Sequence, residues 1–246
     1  MQKLFSIWFV PALLVFLVSC EKSSEPSTTG DLSLSSAYSK AAPPATMVNT
    51  LSKSHGAMAV DSITISRARL VLRDIKFKSS VDSLTFKSEP MVLELSLTGA
   101  AQSIGVINVR FGTFNRIEFD VHRIEASEIT SLPASEQAKF NDFLVDQRYS
   151  IIINGTVYST GAAPQSFTYR SKIDAKQKID LVPELVLSEA NPVANATMLV
   201  SSANWFRSSA GALVDPNDPN NEGIIDENLK ASIRVFKDNN RDGSKD

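Results

Sequence analysis

The chain has 246 residues, 43% hydrophobic and 21% charged, a balance that suits a globular body rather than a disordered or membrane-embedded one. A net charge of −2 and the lack of a basic stripe argue against a nucleic-acid partner, since phosphate binding needs a concentrated positive surface. One cysteine excludes a disulfide framework and a thiolate metal cluster, so stability must come from packing.

That cysteine ends the first element. Lys3 supplies a positive start, Phe5 to Val18 form an almost unbroken apolar run, and Leu17-Val18-Ser19-Cys20 looks like a bacterial lipoprotein lipobox. Cleavage after the small Ser19 would leave Cys20 as the mature N-terminus, its thiol carrying a diacylglycerol and its amine a third acyl chain. Each buried methylene then contributes about 0.8 kcal/mol of membrane affinity. The rival, a transmembrane anchor, needs about 20 apolar residues; this run is shorter and Pro11 interrupts it. Residues 1–19 therefore read as a signal peptide. Residues 20–30 read as a tether, because EKSSEPSTTG has too little apolar surface to order itself. Glu21 rather than Asp follows Cys20, which by resemblance to sorted lipoproteins favours the outer membrane.

Residues 31–205 read as one β-sandwich domain. Leu32 and Leu34 suggest a short first strand at Gly30–Leu34, and Ala41 to Gly56 returns to loop composition. Ile63 and Ile65 alternate with polar residues, after which the apolar set shifts to Ala68, Leu70 and Leu72; that change of phase predicts a β-bulge near Ser66-Arg67. A hairpin over Phe77–Phe86 and strands over Met91–Leu97, Val106–Phe111 and Arg116–Ile124 follow. In the last, Ile117, Phe119 and Val121 face inward and Arg116, Glu118, Asp120 and His122 outward. Ser135–Val145 is a helix candidate with Ser135 as N-cap and Phe140, Phe143 and Leu144 on one side. Strands resume at Tyr149–Tyr158, Ser166–Ile173, Gln177–Val182 and Thr197–Ala203. Many short strands with few helices between them favour an antiparallel all-β sandwich.

Gly30-Asp31-Leu32-Ser33-Leu34, the strand from Ile63 to Ile75, and Gly112-Thr113-Phe114-Asn115-Arg116-Ile117-Glu118-Phe119 together resemble an uncharacterised domain family of bacterial lipoproteins. The resemblance spans about Gly30 to Ile124 and implies an immunoglobulin-like or prealbumin-like sandwich, with no catalytic residues to carry over. The long insertion between Ser35 and Val60 departs from that pattern.

Residues 206–246 read as a loop, a helix and a calcium-binding tail. Ile225, Leu229, Ile233 and Phe236 fall on one side of a helix over Asp226–Lys237. Asp238-Asn239-Asn240-Arg241-Asp242-Gly243-Ser244-Lys245-Asp246 then matches the first part of an EF-hand or dockerin-like loop. Oxygen ligands at alternate positions converge on one hard cation, and glycine at the sixth position permits the sharp turn. Asp238, Asn240 and Asp242 would bind through side chains, Ser244 through its carbonyl, and Asp246 directly or through water. The usual twelfth-position Glu is absent, so Asp226, Glu227 or the Asp215–Asp218 stretch would have to complete the shell. The alternative is a solvated tail.

Other signals are weaker. His122 shares a face with Asp120 and Glu118, but a lone histidine among alternating charges is most often an exposed strand residue. Trp205-Phe206 reads as core packing before a binding platform, and Asp215–Glu222 as a turn-rich loop before a second metal site. Asp61-Ser62-Ile63 and Asp82-Ser83-Leu84 resemble O-glycosylation acceptors, a pattern too short to carry weight. No nucleophile elbow, phosphate loop or H-E-x-x-H helix occurs. The expected function is a non-enzymatic binding or structural module, anchored by lipid, with an envelope protein or glycan as partner. A fimbrillin-like pilus or adhesin subunit and a calcium-dependent hydrolase stand as alternatives.

Overall fold

A computed structural model describes residues 28–39, 59–80 and 82–246. Cys20, His55 and the expected loop at Ala41–Gly56 lie outside the described residues. The strands are β1 (Thr29–Ser39), β2 (Val60–Lys78), β3 (Ser83–Lys87), β4 (Met91–Glu94), β5 (Gln102–Arg110), β6 (Gly112–Val121), β7 (Ile151–Ser159), β8 (Gln165–Ser171), β9 (Ala175–Leu187), β10 (Val193–Ser201) and β11 (Ile233–Lys237). Two short helices, α1 (Ala134–Gln137) and α2 (Glu222–Ala231), accompany them.

The strands form two sheets that share one core, an all-β sandwich as expected. The smaller sheet runs β11-β10-β1-β5; the larger runs β8-β7-β2-β6-β9, with β3 and β4 also paired to β2. β1 lies parallel to β10, and the other ladders are antiparallel. Alternation explains the filling. Leu32, Leu34, Ala196 and Met198 of the small sheet and Leu70, Leu72, Ile117 and Phe119 of the large one are essentially inaccessible and form one cluster. Ile117, Phe119 and Val121 are buried, while Arg116 is exposed and Glu118 and Asp120 are half-buried.

The phase shift in β2 is a real irregularity: its register with β7 slips between Ile65 and Arg67. Opposite this slip stands Gly155, where a Cβ would lie 2.1 Å from the Thr64 carbonyl oxygen and 2.6 Å from the Phe167 ring, so only glycine fits. β1 is longer than the expected Gly30–Leu34 and sits in the middle of its sheet.

Two expected helices take other forms. The Ser135–Val145 segment is α1 followed by a 3-10 turn over Ala138–Phe143, with Pro133 rather than Ser135 at the N-cap. Asn141 and Asp142 are weak helix formers. Asp142 is drawn instead to the buried Arg69, whose Nη2 donates to it at 2.7 Å. Phe140 and Phe143 are buried as expected, and with Ile124 and Ile129 they cover Val71 and Ile152 on the outer face of the large sheet.

The Asp226–Lys237 helix is corrected more deeply. α2 runs from Glu222 to Ala231, Ser232 caps it with its hydroxyl on the Leu229 carbonyl at 2.7 Å, and Ile233–Lys237 is strand β11 on the edge of β10. Ile233 and Val235 point inward and Arg234 outward, a period of two that the helical reading of the same apolar residues overlooked. Ile225, Leu229, Ile233, Val235, Trp205 and Phe206 all join the shared core, so the last forty or so residues complete the sandwich rather than hang from it.

Candidate metal centre

β11 delivers the chain to Asp238, whose N–H donates to the Asn195 carbonyl of β10 at 3.0 Å. Asp238 is fully buried. Its Oδ2 accepts from Thr197 Oγ1 at 2.6 Å and from the Gly243 N–H at 3.0 Å, while Oδ1 accepts from the Asp242 N–H at 3.1 Å. The chain wraps around this carboxylate by placing Arg241 and Gly243 in the left-handed region, at φ 60° and 83°. Gly243 occupies the sixth position of the loop, where the sequence pattern calls for it.

The structure therefore brings the proposed ligands into one closed loop, with their oxygens directed at N–H groups. Asn240 Oδ1 accepts from the Asp242 N–H at 3.0 Å, and Asn240 Nδ2 donates to Asp242 Oδ2 at 3.0 Å. Asp242 Oδ1 accepts from the Ser244 N–H at 2.7 Å. Asp246 Oδ2 accepts from the Asn239 N–H at 2.7 Å, and the Asp246 N–H closes the loop on the Lys237 carbonyl at 3.1 Å. Among the described residues, no three His, Cys, Asp or Glu side chains group closely enough to hold a metal ion. The loop as it stands is a hydrogen-bonded clasp around Asp238.

The residues suggested to complete a calcium shell are occupied elsewhere. Asp226 accepts from Tyr169 Oη at 2.8 Å and from Ser171 Oγ at 2.7 Å, which fixes α2 to β8. Burial, then this contact with Asp226, pushes the Tyr169 hydroxyl well above its ordinary pKa. Glu227 pairs with Lys230 at 2.7 Å. Asp215 and Asp218 cap their own turns through the Asn217 and Asn220 N–H groups at 2.8 and 3.0 Å.

Sequence reasoning missed the floor on which the loop rests. Asn195 Oδ1 accepts from Ser33 Oγ at 2.8 Å and Ser35 Oγ at 3.1 Å, and its Nδ2 donates to the Asp238 carbonyl at 2.8 Å. Arg241 Nη2 donates to Ser33 Oγ at 3.0 Å. The loop thus straps the seam between β1 and β10. The available signal was small polar residues at alternate positions of two core strands, Ser33 and Ser35 in one and Asn195 and Thr197 in the other, which marks a second face buried under something polar.

His122 lies between two carboxylates, with Nε2 3.3 Å from Glu128 and Nδ1 3.4 Å from Asp174. They approach opposite ring nitrogens and do not converge on one point. Burial pushes Asp174 up, but hydrogen bonds from the Arg123 side chain and backbone and the nearby cationic charge hold it below the usual carboxylate range. Glu94 is likewise held low by its bidentate contact with Arg67, at 2.9 and 2.7 Å.

An open cleft of about 910 Å³ is lined by Lys78, Asp82, Arg116, Asp180, Pro183 and Glu184 among others. It exists because Leu181–Glu184 of β9 arch away from β6, where only Asn115 separates the paired residues Phe114 and Arg116. No family model, no curated protein and no solved structure matches this chain.

Proposed function

We propose that this is a lipid-anchored bacterial envelope protein, held in the outer membrane through Cys20, whose sandwich serves as a binding or structural module for an envelope protein or glycan. The observation that carries the reading is Leu17-Val18-Ser19-Cys20 after an apolar run, followed closely by a folded strand. The test is Cys20→Ser, which should leave an uncleaved precursor that carries no lipid at position 20. Normal processing and acylation of that variant would defeat the reading.

The place of β1 supports a fixed module over a fimbrillin-like subunit, which would assemble through an exposed, removable terminal strand. β1 is buried between β5 and β10 and strapped by Arg241. A hydrolytic reading would draw on carboxylates with perturbed acidity, and Glu94 and Asp174 are each held by an arginine in an ion pair.

Calcium at Asp238, Asn240, Asp242, Ser244 and Asp246 belongs to the same proposal. Its support is the carboxylate at the loop's first position and the left-handed Gly243 at its sixth. Binding would turn Asn240 and Asp242 away from their backbone donors, so a dissociation constant of about 10⁻⁴ to 10⁻³ M is expected, the range of extracellular modules. Titration calorimetry should show calcium-selective heat that Asp238→Ala and Asp242→Ala abolish. No heat at millimolar calcium would make the loop a clasp alone.

A further inference from the structure

The end of the sandwich at which β1 begins is built around the chain's exit. The Phe111 N–H donates to the Thr28 carbonyl at 3.0 Å and the Asp31 N–H to the Pro192 carbonyl at 2.8 Å. A Cβ at Gly30 would lie 2.3 Å from that same Pro192 oxygen. Thr28 to Asp31 are therefore held between the β5–β6 turn and the β9–β10 turn. From Thr28 back to Cys20 there are only residues 21–27. Those eight Cα steps span at most about 28 Å at full extension.

The β9–β10 turn is closed by reciprocal N–H to carbonyl bonds between Ser188 and Asn191, both 3.0 Å. At symmetric positions on either side stand Val186 and Val193, which are 47% and 53% exposed while Leu185, Leu187 and Ala194 beside them are buried. β1 runs away from this end for about 33 Å, so the β7–β8 turn, reached past the far end of β1, lies well beyond the tether's reach.

We infer that this end of the sandwich rests on the lipid surface holding Cys20, with Val186 and Val193 flanking the contact, and that the β7–β8 end points away from the membrane. The inference rests on the lipid-anchor reading. Because Cys20 is the chain's only cysteine and its thiol would be blocked by the diacylglyceryl group, single introduced cysteines can carry a fluorophore.

The experiment reconstitutes the lipid-bearing protein into phosphatidylethanolamine–phosphatidylglycerol vesicles containing nitroxide-labelled lipid. It compares probes at Ala190→Cys, in the β9–β10 turn, and Ala163→Cys, in the β7–β8 turn, both exposed positions. Quenching should be severalfold stronger at 190, and Val186→Glu with Val193→Glu should lower it toward the level at 163. Equal quenching at the two ends, or quenching at 190 that the glutamates leave unchanged, would overturn the inference. The mass of the N-terminal peptide separates the two claims. Absence of lipid on Cys20 defeats the anchor and the orientation together, whereas a lipidated protein with equal quenching defeats the orientation alone.

Discussion

Asp238→Ala tests whether the C-terminal loop is a clasp in its own right. The substitution removes the acceptor for the Thr197 hydroxyl and for the N–H groups of Gly243 and Asp242, all within 3.1 Å of a fully buried carboxylate. A buried donor left without a partner costs about 1–3 kcal/mol. Thr197 is fully buried, while Gly243 and Asp242 can reach water once the loop loosens. The expected loss is therefore about 1–3 kcal/mol, with Thr197 carrying most of it. Asp242→Ala deletes an exposed side chain with weaker obligations and should cost about 0.5–1 kcal/mol. Urea unfolding of the detergent-solubilised protein, with a chelator present, measures both. A loss under about 1 kcal/mol at Asp238, or equal losses at the two positions, would refute the clasp. A loss at Asp238 that emerged only with added calcium would show that the metal, not the hydrogen bonds, holds the loop.

Phe119→Ala empties a fully buried site between the sheets and should cost about 3–5 kcal/mol. Asp120→Ala on the other face of β6 should cost far less, and similar losses would contradict the assigned faces of the strand. Glu94 and Asp174 have folded-state acidities held below their unfolded values, so what they contribute is present near neutrality and lost as the pH falls below about 4. Both are partly exposed and the effect should be small; Arg67→Gln with Arg123→Gln should flatten this acid limb in unfolding curves taken from pH 6 to 3. Tyr169 has the opposite sign. Its raised folded-state pKa gives stability that is full below about pH 10 and lost above it, and Tyr169→Phe should remove that alkaline limb.

The strands from β2 to β8 were legible because each has one face on the core and one toward solvent or a thin cover, so its residues alternate visibly. Ile117, Phe119 and Val121 against Arg116, Glu118 and Asp120 is the clearest case. The bulge in β2 was legible for the same reason, since an extra residue must shift the phase of the pattern. Where a strand is covered on both faces the pattern fades. β1 carries Leu32 and Leu34 toward the core and Ser33 and Ser35 under the C-terminal loop, so its length and central place could not be read from alternation.

Spacing at Asp238–Asp246 predicted a cation loop or a solvated tail, and only the structure showed the turn around the Asp238 carboxylate, because alternate oxygens and a glycine serve N–H groups as well as they serve a cation. Which of these the loop satisfies depends on Asn195 and Thr197, more than forty positions earlier, and on Ser33 far before them. The same separation explains β11. Ile225, Leu229, Ile233 and Phe236 fit a helical period, but only the free edge of β10 decides that Ile233–Lys237 extends and pairs. Local sequence determined which residues seek the core and where the phase of a strand shifts. The partner each strand edge and each buried polar group found was decided by tertiary structure, because hydrogen bonds across a sheet join residues that no local pattern connects.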